Sequence, residues 1–73
     1  MENVFVVGVG LIGGSFALDI KKIYPNSTIC GIDKNQAHID EAIQLGVIDI
    51  KASFEDLSKA DMVIIAIPVD AAL

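Results

Sequence analysis

Cysteine, histidine and basic charge are all scarce in this sequence, and each shortage removes a class of function. The single cysteine, Cys30, cannot close an internal disulfide, and with one histidine, His38, it cannot build a zinc site. A reduced protein of the cell interior is the expectation, with no metal. The five basic residues (Lys21, Lys22, Lys34, Lys51 and Lys59) are scattered among ten acidic ones, for a net charge of −5. A duplex nucleic-acid reader needs a clustered basic footprint, as does a protein held on an anionic membrane, so neither partner is expected. Asn3 to Leu18 carries no charge, yet Glu2 precedes it in place of a basic segment and four glycines interrupt it. It is therefore neither a signal peptide nor a membrane span, and the expected location is the cytoplasm.

Apolar residues, by contrast, are abundant. They make up 53% of 73 residues, with a mean hydropathy of +0.62. A domain this small buries only about 60% of the surface its unfolded chain exposes. The composition suits an interior better than a skin, so the chain is expected to be part of something larger or to assemble with a partner.

No repeat, low-complexity stretch or linker breaks the chain. Val4 to Val7 is apolar on both alternating faces, the pattern of a buried parallel strand. From Ile12 the period changes: Ile12, Phe16, Ile20 and Ile23 form one helical stripe, with Lys21 and Lys22 suiting the negative helix end. Pro25-Asn26-Ser27 stops that helix, and Thr28 to Ile32 is a second strand ending at Asp33. Asn35 is the expected cap of a second helix through Leu45, with Ile39, Ala42 and Ile43 facing inward and Gly46 as its stop. Val47 to Ile50 predicts a short third strand, Phe54 to Lys59 one or two helical turns, and Met62 to Ile67 the strongest strand, closed by Pro68. This alternation predicts an α/β fold with a parallel sheet and right-handed crossovers.

The chemistry is concentrated at the first strand-to-helix junction. Gly8-Val9-Gly10-Leu11-Ile12-Gly13 reads G-x-G-x-x-G, a weak signal alone. Here it follows an apolar strand, opens a helix, and is followed 20 residues after Gly13 by Asp33 at the end of the next strand. In a Rossmann-type unit, Gly8 would permit the tight turn, Gly10 would let a pyrophosphate approach the backbone, and Gly13 would let helix and strand pack closely. The N–H groups of Leu11 to Gly13 would hold phosphate without any basic side chain. Gly14-Ser15 stands where a P-loop needs Lys followed by Ser or Thr, and Ile12 stands where methyltransferase-type loops place a glycine. Asp33 would accept the adenosine ribose hydroxyls, and its charge would repel the 2′-phosphate of NADP, so NAD is the expected cofactor.

Gly8-Val9-Gly10-Leu11-Ile12-Gly13-Gly14-Ser15, with Phe16-Ala17-Leu18 after it, resembles the N-terminal signature of the prephenate/arogenate dehydrogenases. Gly31-Ile32-Asp33-Lys34-Asn35, Leu45-Gly46-Val47-Ile48-Asp49 and Ala60-Asp61 through Ala66-Ile67-Pro68-Val69 follow in the same order, so the resemblance covers nearly the whole chain. It implies NAD-dependent oxidative decarboxylation of prephenate to 4-hydroxyphenylpyruvate in tyrosine biosynthesis. It also implies cofactor contacts at Gly8, Gly10, Leu11, Ile12, Gly13, Asp33 and Lys34, and further ones at Ile67, Pro68 and Val69. The catalytic histidine, the basic residues for the substrate carboxylates and the helical dimer domain come later in such chains. No catalytic residue is therefore expected among these 73, read as the N-terminal part of a dinucleotide-binding domain. The expected sheet has about four strands, in the order 3-2-1-4 of a larger 3-2-1-4-5-6 sheet, with two main helices. Its fourth strand would be an exposed apolar edge, favouring self-association. Two alternatives share the motif: another hydroxy-acid dehydrogenase, such as a 3-hydroxyisobutyrate type, and a non-catalytic nucleotide-sensing module like those of potassium-transport regulators.

The remaining side chains have plain roles. His38 is expected in solvent, Cys30 as a small buried hydrophobe, and Tyr24 packed on the helix end. Ser15 is not expected to act as a nucleophile. Asp40, Glu41, Glu55 and Asp56 are expected on solvated faces.

Overall fold

The computed structural model describes residues 3–66, with Leu11 and Ile12 described by backbone alone. Four parallel strands, β1 (Asn3–Val7), β2 (Thr28–Ile32), β3 (Ile50–Lys51) and β4 (Met62–Ile65), lie in the order β3-β2-β1-β4. Helix α1 (Leu11–Ile23) joins β1 to β2, α2 (Gln36–Gln44) joins β2 to β3, and a 3₁₀ helix (Phe54–Lys59) precedes β4. The fold is the Rossmann-like α/β arrangement with the strand order expected from the sequence.

The apolar run in β1 has two jobs. Val4 and Val6 point to one face, where they meet Ile29, Val9, Ala17, Ile39, Ala42 and Ile48. Phe5 and Val7 point to the other, where they meet Cys30 and Ile32, with Ala52, Leu57 and Ala60 packed against them. A strand buried on both faces has no use for polar alternation, which is why the pattern is continuous. β4 is the edge on its side of the sheet, where Met62 and Ile64 are half-buried but Val63 and Ile65 are exposed. Ile67 to Leu73, including the expected end of this strand, lie outside the described residues.

Three local expectations need correction. The α1 stripe is rotated: Gly13 and Ala17 are buried and Ile20 packs on the core, whereas Phe16 is 47% and Ile23 64% exposed. The cause is the close approach of α1 to the β1 turn at Gly13, which admits only small residues on the inward face of the first turns; the Ile12 side chain is not described. In α2, Asn35 caps through its side-chain oxygen, which accepts the Ala37 N–H, and Ile39 and Ala42 are buried as expected. Ile43 is 42% exposed, because the nine-residue helix buries a narrow edge.

The third strand begins later than the apolar run suggests. Gly46 turns the chain with a positive φ of 74°, and the N–H groups of Val47 and Ile48 both donate to the Ala42 carbonyl. Those amides finish α2 and cannot join the sheet, while the Ile48 side chain fills the core. Sheet pairing starts when the Asp49 N–H donates to Ile29 and β3 follows.

Two smaller differences remain. Tyr24 is partly exposed, and its contribution is main-chain: its N–H donates to the Ile20 carbonyl and ends α1. Asp56 is a cap, accepting from the Ser53 N–H and hydroxyl at the start of the 3₁₀ helix. Cys30 is buried, and burial first, then Asp49 and Asp56, pushes its thiol up and keeps it protonated. Among the described residues, no helix is long and apolar enough to cross a membrane.

Candidate functional site

The site is built where β1 turns into α1. At Gly8 the backbone takes a φ of +87°, a region that L side chains enter with strain, while its N–H still donates to Ile32 of β2 at 2.7 Å. A side chain at Gly13 would collide with the Gly8 carbonyl oxygen and crowd Val6. Both glycines are therefore dictated by the fold itself. Gly10 differs: its φ of −65° and ψ of −161° are open to any residue, and no atom lies within 4 Å of where a Cβ would stand. Nothing in the folded chain asks for glycine there, so the backbone at Gly10 is bare toward open space.

Gly10 is also the residue that caps α1. It has no side chain to satisfy the first-turn N–H groups, and no acidic residue occupies that turn. These amides have no acceptor within the helix, and they carry its positive end. The corner is suited to an anion.

Asp33 follows directly on β2 and leans over this loop. Its Oδ2 accepts the Val9 N–H at 2.8 Å and lies 3.2 Å from His38 Nδ1; its Oδ1 accepts the Asn35 N–H at 2.9 Å. Burial pushes the carboxyl up, but the Asn35 and Val9 N–H groups, with His38 after them, outweigh this and hold it below the ordinary aspartate value. A carboxylate has about four acceptor positions, so three bonds leave room for a hydroxyl donor. Lys34 is exposed next to it. A groove of about 350 Å³ opens beside the loop, with Gly10, Ser15 and Leu18 on one wall and His38, Glu41 and Leu45 on the other.

The structure thus gathers Gly8, Gly10, Gly13 and Asp33 in one corner, with the backbone of Leu11 and Ile12 opening the helix there. Ile67, Pro68 and Val69 lie outside the described residues. Reading the sequence missed His38, whose side chain is 46% exposed yet pairs with Asp33. The available signal was its place in the first turn of α2: helical side chains lean toward the N-terminus, which here faces the tip of β2.

A sequence profile described as the prephenate dehydrogenase nucleotide-binding domain matches residues 16–73. The chain belongs to that family. Among its curated relatives, prephenate dehydrogenase of Bacillus subtilis (strain 168) is 43% identical over 74 aligned positions, covering 99% of this chain and 20% of that protein. The prephenate dehydrogenase of Lactococcus lactis subsp. cremoris (strain MG1363) is 36% identical, covering 100% of this chain and 21% of that protein. The crystal structure of prephenate dehydrogenase from A. aeolicus, in complex with hydroxyphenyl propionate and NAD+, superposes with a TM-score of 0.82 at 37% identity. That match covers 93% of this chain and 25% of the other.

This member of the prephenate dehydrogenase nucleotide-binding family therefore spans about a fifth of the length of the curated relatives it matches. The profile begins at Phe16, beyond the glycine loop, whereas the alignments to whole relatives run through the loop. Loop geometry and profile match are thus two separate supports, resting on different residues.

Proposed function

We propose that this chain binds the adenosine diphosphate part of NAD and supplies the N-terminal portion of the dinucleotide-binding domain of a prephenate dehydrogenase. In that reaction the ring carbon bearing the hydroxyl of prephenate gives up a hydride, carbon dioxide leaves, and 4-hydroxyphenylpyruvate and NADH form. Bound NAD supplies the hydride acceptor; the residues of this chain bind and orient it. The Leu11 to Gly13 amides hold the diphosphate at the start of α1, and Asp33 accepts the ribose hydroxyls. Lys34 flanks the ribose, and Ile67, Pro68 and Val69 line the cofactor further along. Asp33 favours NAD over NADP because its charge opposes a 2′-phosphate. The enzyme works in the cytoplasm as a homo-oligomer, a reading that rests on the helical dimer domain the family resemblance implies.

The observation that carries this reading is the contrast within the loop. Two glycines are required by the fold, and the third, Gly10, stands open with an ordinary backbone. A glycine that the protein does not need for itself fits a ligand that needs the space. The test is a pair of substitutions read by titration calorimetry with NAD+ and by thermal melting. Gly10→Ala should leave the melting temperature nearly unchanged while weakening NAD+ on the order of tenfold to a hundredfold. Gly13→Ala should cost on the order of 3 kcal/mol of stability. Unchanged NAD+ affinity in Gly10→Ala would remove the basis for the assignment.

A further inference from the structure

The three bonds to Asp33 are not equivalent. Those from Val9 and Asn35 are main-chain and fix the carboxylate, whereas His38 reaches it from a half-exposed side chain on α2. The imidazole is held at both nitrogens: Nδ1 faces Asp33 Oδ2 at 3.2 Å, and Nε2 faces Asn35 Nδ2 at 3.5 Å. With the proton on Nδ1, the ring donates to Asp33 and accepts from Asn35. When doubly protonated it keeps the first contact as an ion pair and loses the second. Asn35 cannot readily turn its oxygen toward the ring, because that oxygen already accepts the Ala37 N–H.

We infer that His38 sets how strongly the site discriminates between NAD and NADP, and that it does so according to its charge. The inference rests on the proposed binding of the adenosine ribose at Asp33. A 2′-phosphate would occupy the place of the 2′-hydroxyl, against the carboxylate oxygen that His38 touches. With His38 neutral, that phosphate meets the full carboxylate charge, offset by Lys34 alone among the residues named at this corner. With His38 protonated, the carboxylate charge is cancelled and a cation stands within reach of the phosphate.

The other charged groups at this corner are few. Lys34 follows Asp33 in the chain, and Glu41 lies three residues on from His38, on the same wall of the groove. From α1 the facing residues are Ser15 and Leu18, neither of them charged. Of these side-chain types, only an imidazole ordinarily changes charge between pH 5 and 8.

The experiment measures dissociation constants of the intact protein for NAD+ and NADP+ by titration calorimetry at about pH 8 and about pH 5.5, spanning the imidazole range. A phosphate monoester also gains a proton in this range, so the deciding quantity is the difference between wild type and His38→Gln. The ratio of the NADP+ constant to the NAD+ constant should fall about five- to tenfold further in wild type than in His38→Gln on acidification. His38→Lys, which keeps a cation at this position, should discriminate less than wild type at pH 8 and lose the extra fall on acidification. Equal falls in wild type and His38→Gln, or full discrimination retained in His38→Lys at pH 8, would sink the inference and leave NAD binding intact. Failure of wild type to bind NAD+ at either pH would instead overturn the proposed function and this inference with it.

Discussion

β2 is framed by two aspartates that look alike on paper and act differently. At its start, Asp49 Oδ2 accepts the Ile29 N–H at 2.8 Å; just past its end, Asp33 Oδ2 accepts the Val9 N–H at the same distance. Both carboxyls lie below the ordinary aspartate value: burial raises each, and main-chain N–H groups, joined by Lys21 at Asp49 and by His38 at Asp33, together outweigh it. The difference is the remaining partner. Lys21 spans both oxygens of Asp49 at 2.9 Å and also approaches the Ser27 carbonyl, closing the cluster. Asp33 is met by a half-exposed imidazole beside a bare glycine. Each carboxylate makes three contacts, and the Asp49 side chain is the more exposed, at 36% against 12% for Asp33. What differs is the third partner, a lysine that ties Asp49 to α1 and a histidine that leaves Asp33 at the glycine corner. Strong anchoring to the backbone therefore does not by itself distinguish a structural carboxylate from a binding one; the occupant of the last acceptor position does.

Substitutions can break this comparison. The largest effect is expected from Asp33→Asn, which should weaken NAD+ roughly tenfold to a hundredfold by removing charge-assisted hydrogen bonds, as read by calorimetry. Its stability should shift by only about 1 kcal/mol, the scale of one hydrogen bond. Asp49→Ala should do the reverse, with NAD+ affinity unchanged and stability lower by about 1–3 kcal/mol in urea unfolding, since the Ile29 N–H loses its acceptor. Should Asp49→Ala weaken NAD+ as much as Asp33→Asn does, the two carboxylates are not different in kind.

Acid sharpens the same point. A carboxyl with a lowered folded pKa stabilises the fold fully above its unfolded value, near 3.8 here, and that stability is lost as pH falls through the lower folded value. Urea midpoints should hold steady down to about pH 4 and then decline, with a shallower decline in Asp49→Ala. Lys21→Met should have the smallest effect, within about 1 kcal/mol, because the ion pair is partly exposed.

Most of the fold was legible because its signals are local. β2 and the 3₁₀ helix stand where the apolar run and the turn residues put them, and Asn35 caps α2. What was not legible depends on distant contacts. The Gly13 approach to Gly8 decides which face of α1 turns inward, and no periodicity count over Ile12, Phe16, Ile20 and Ile23 contains that information. The amides of Val47 and Ile48 are claimed by Ala42, which delays β3 although the sequence there favours a strand. In the site, glycine spacing and Asp33 could be read from the motif. The distinction between Gly10 and its neighbours, and the contact of His38 with Asp33, exist only once β1, β2 and α2 are assembled.

The central position of β1 also bears on the order of assembly. Asn3 pairs with Thr28, 25 residues away, but Val4 pairs with Met62, 58 residues away. Closing the longer loop costs under about 1 kcal/mol more entropy, so the gap in timing is set chiefly by synthesis. A ribosome delivering the chain releases the first β-α-β crossover before β4. The nascent β1–β2 pair, with the glycine corner and Asp33 already joined through Val9, can form before β4 is available to pair.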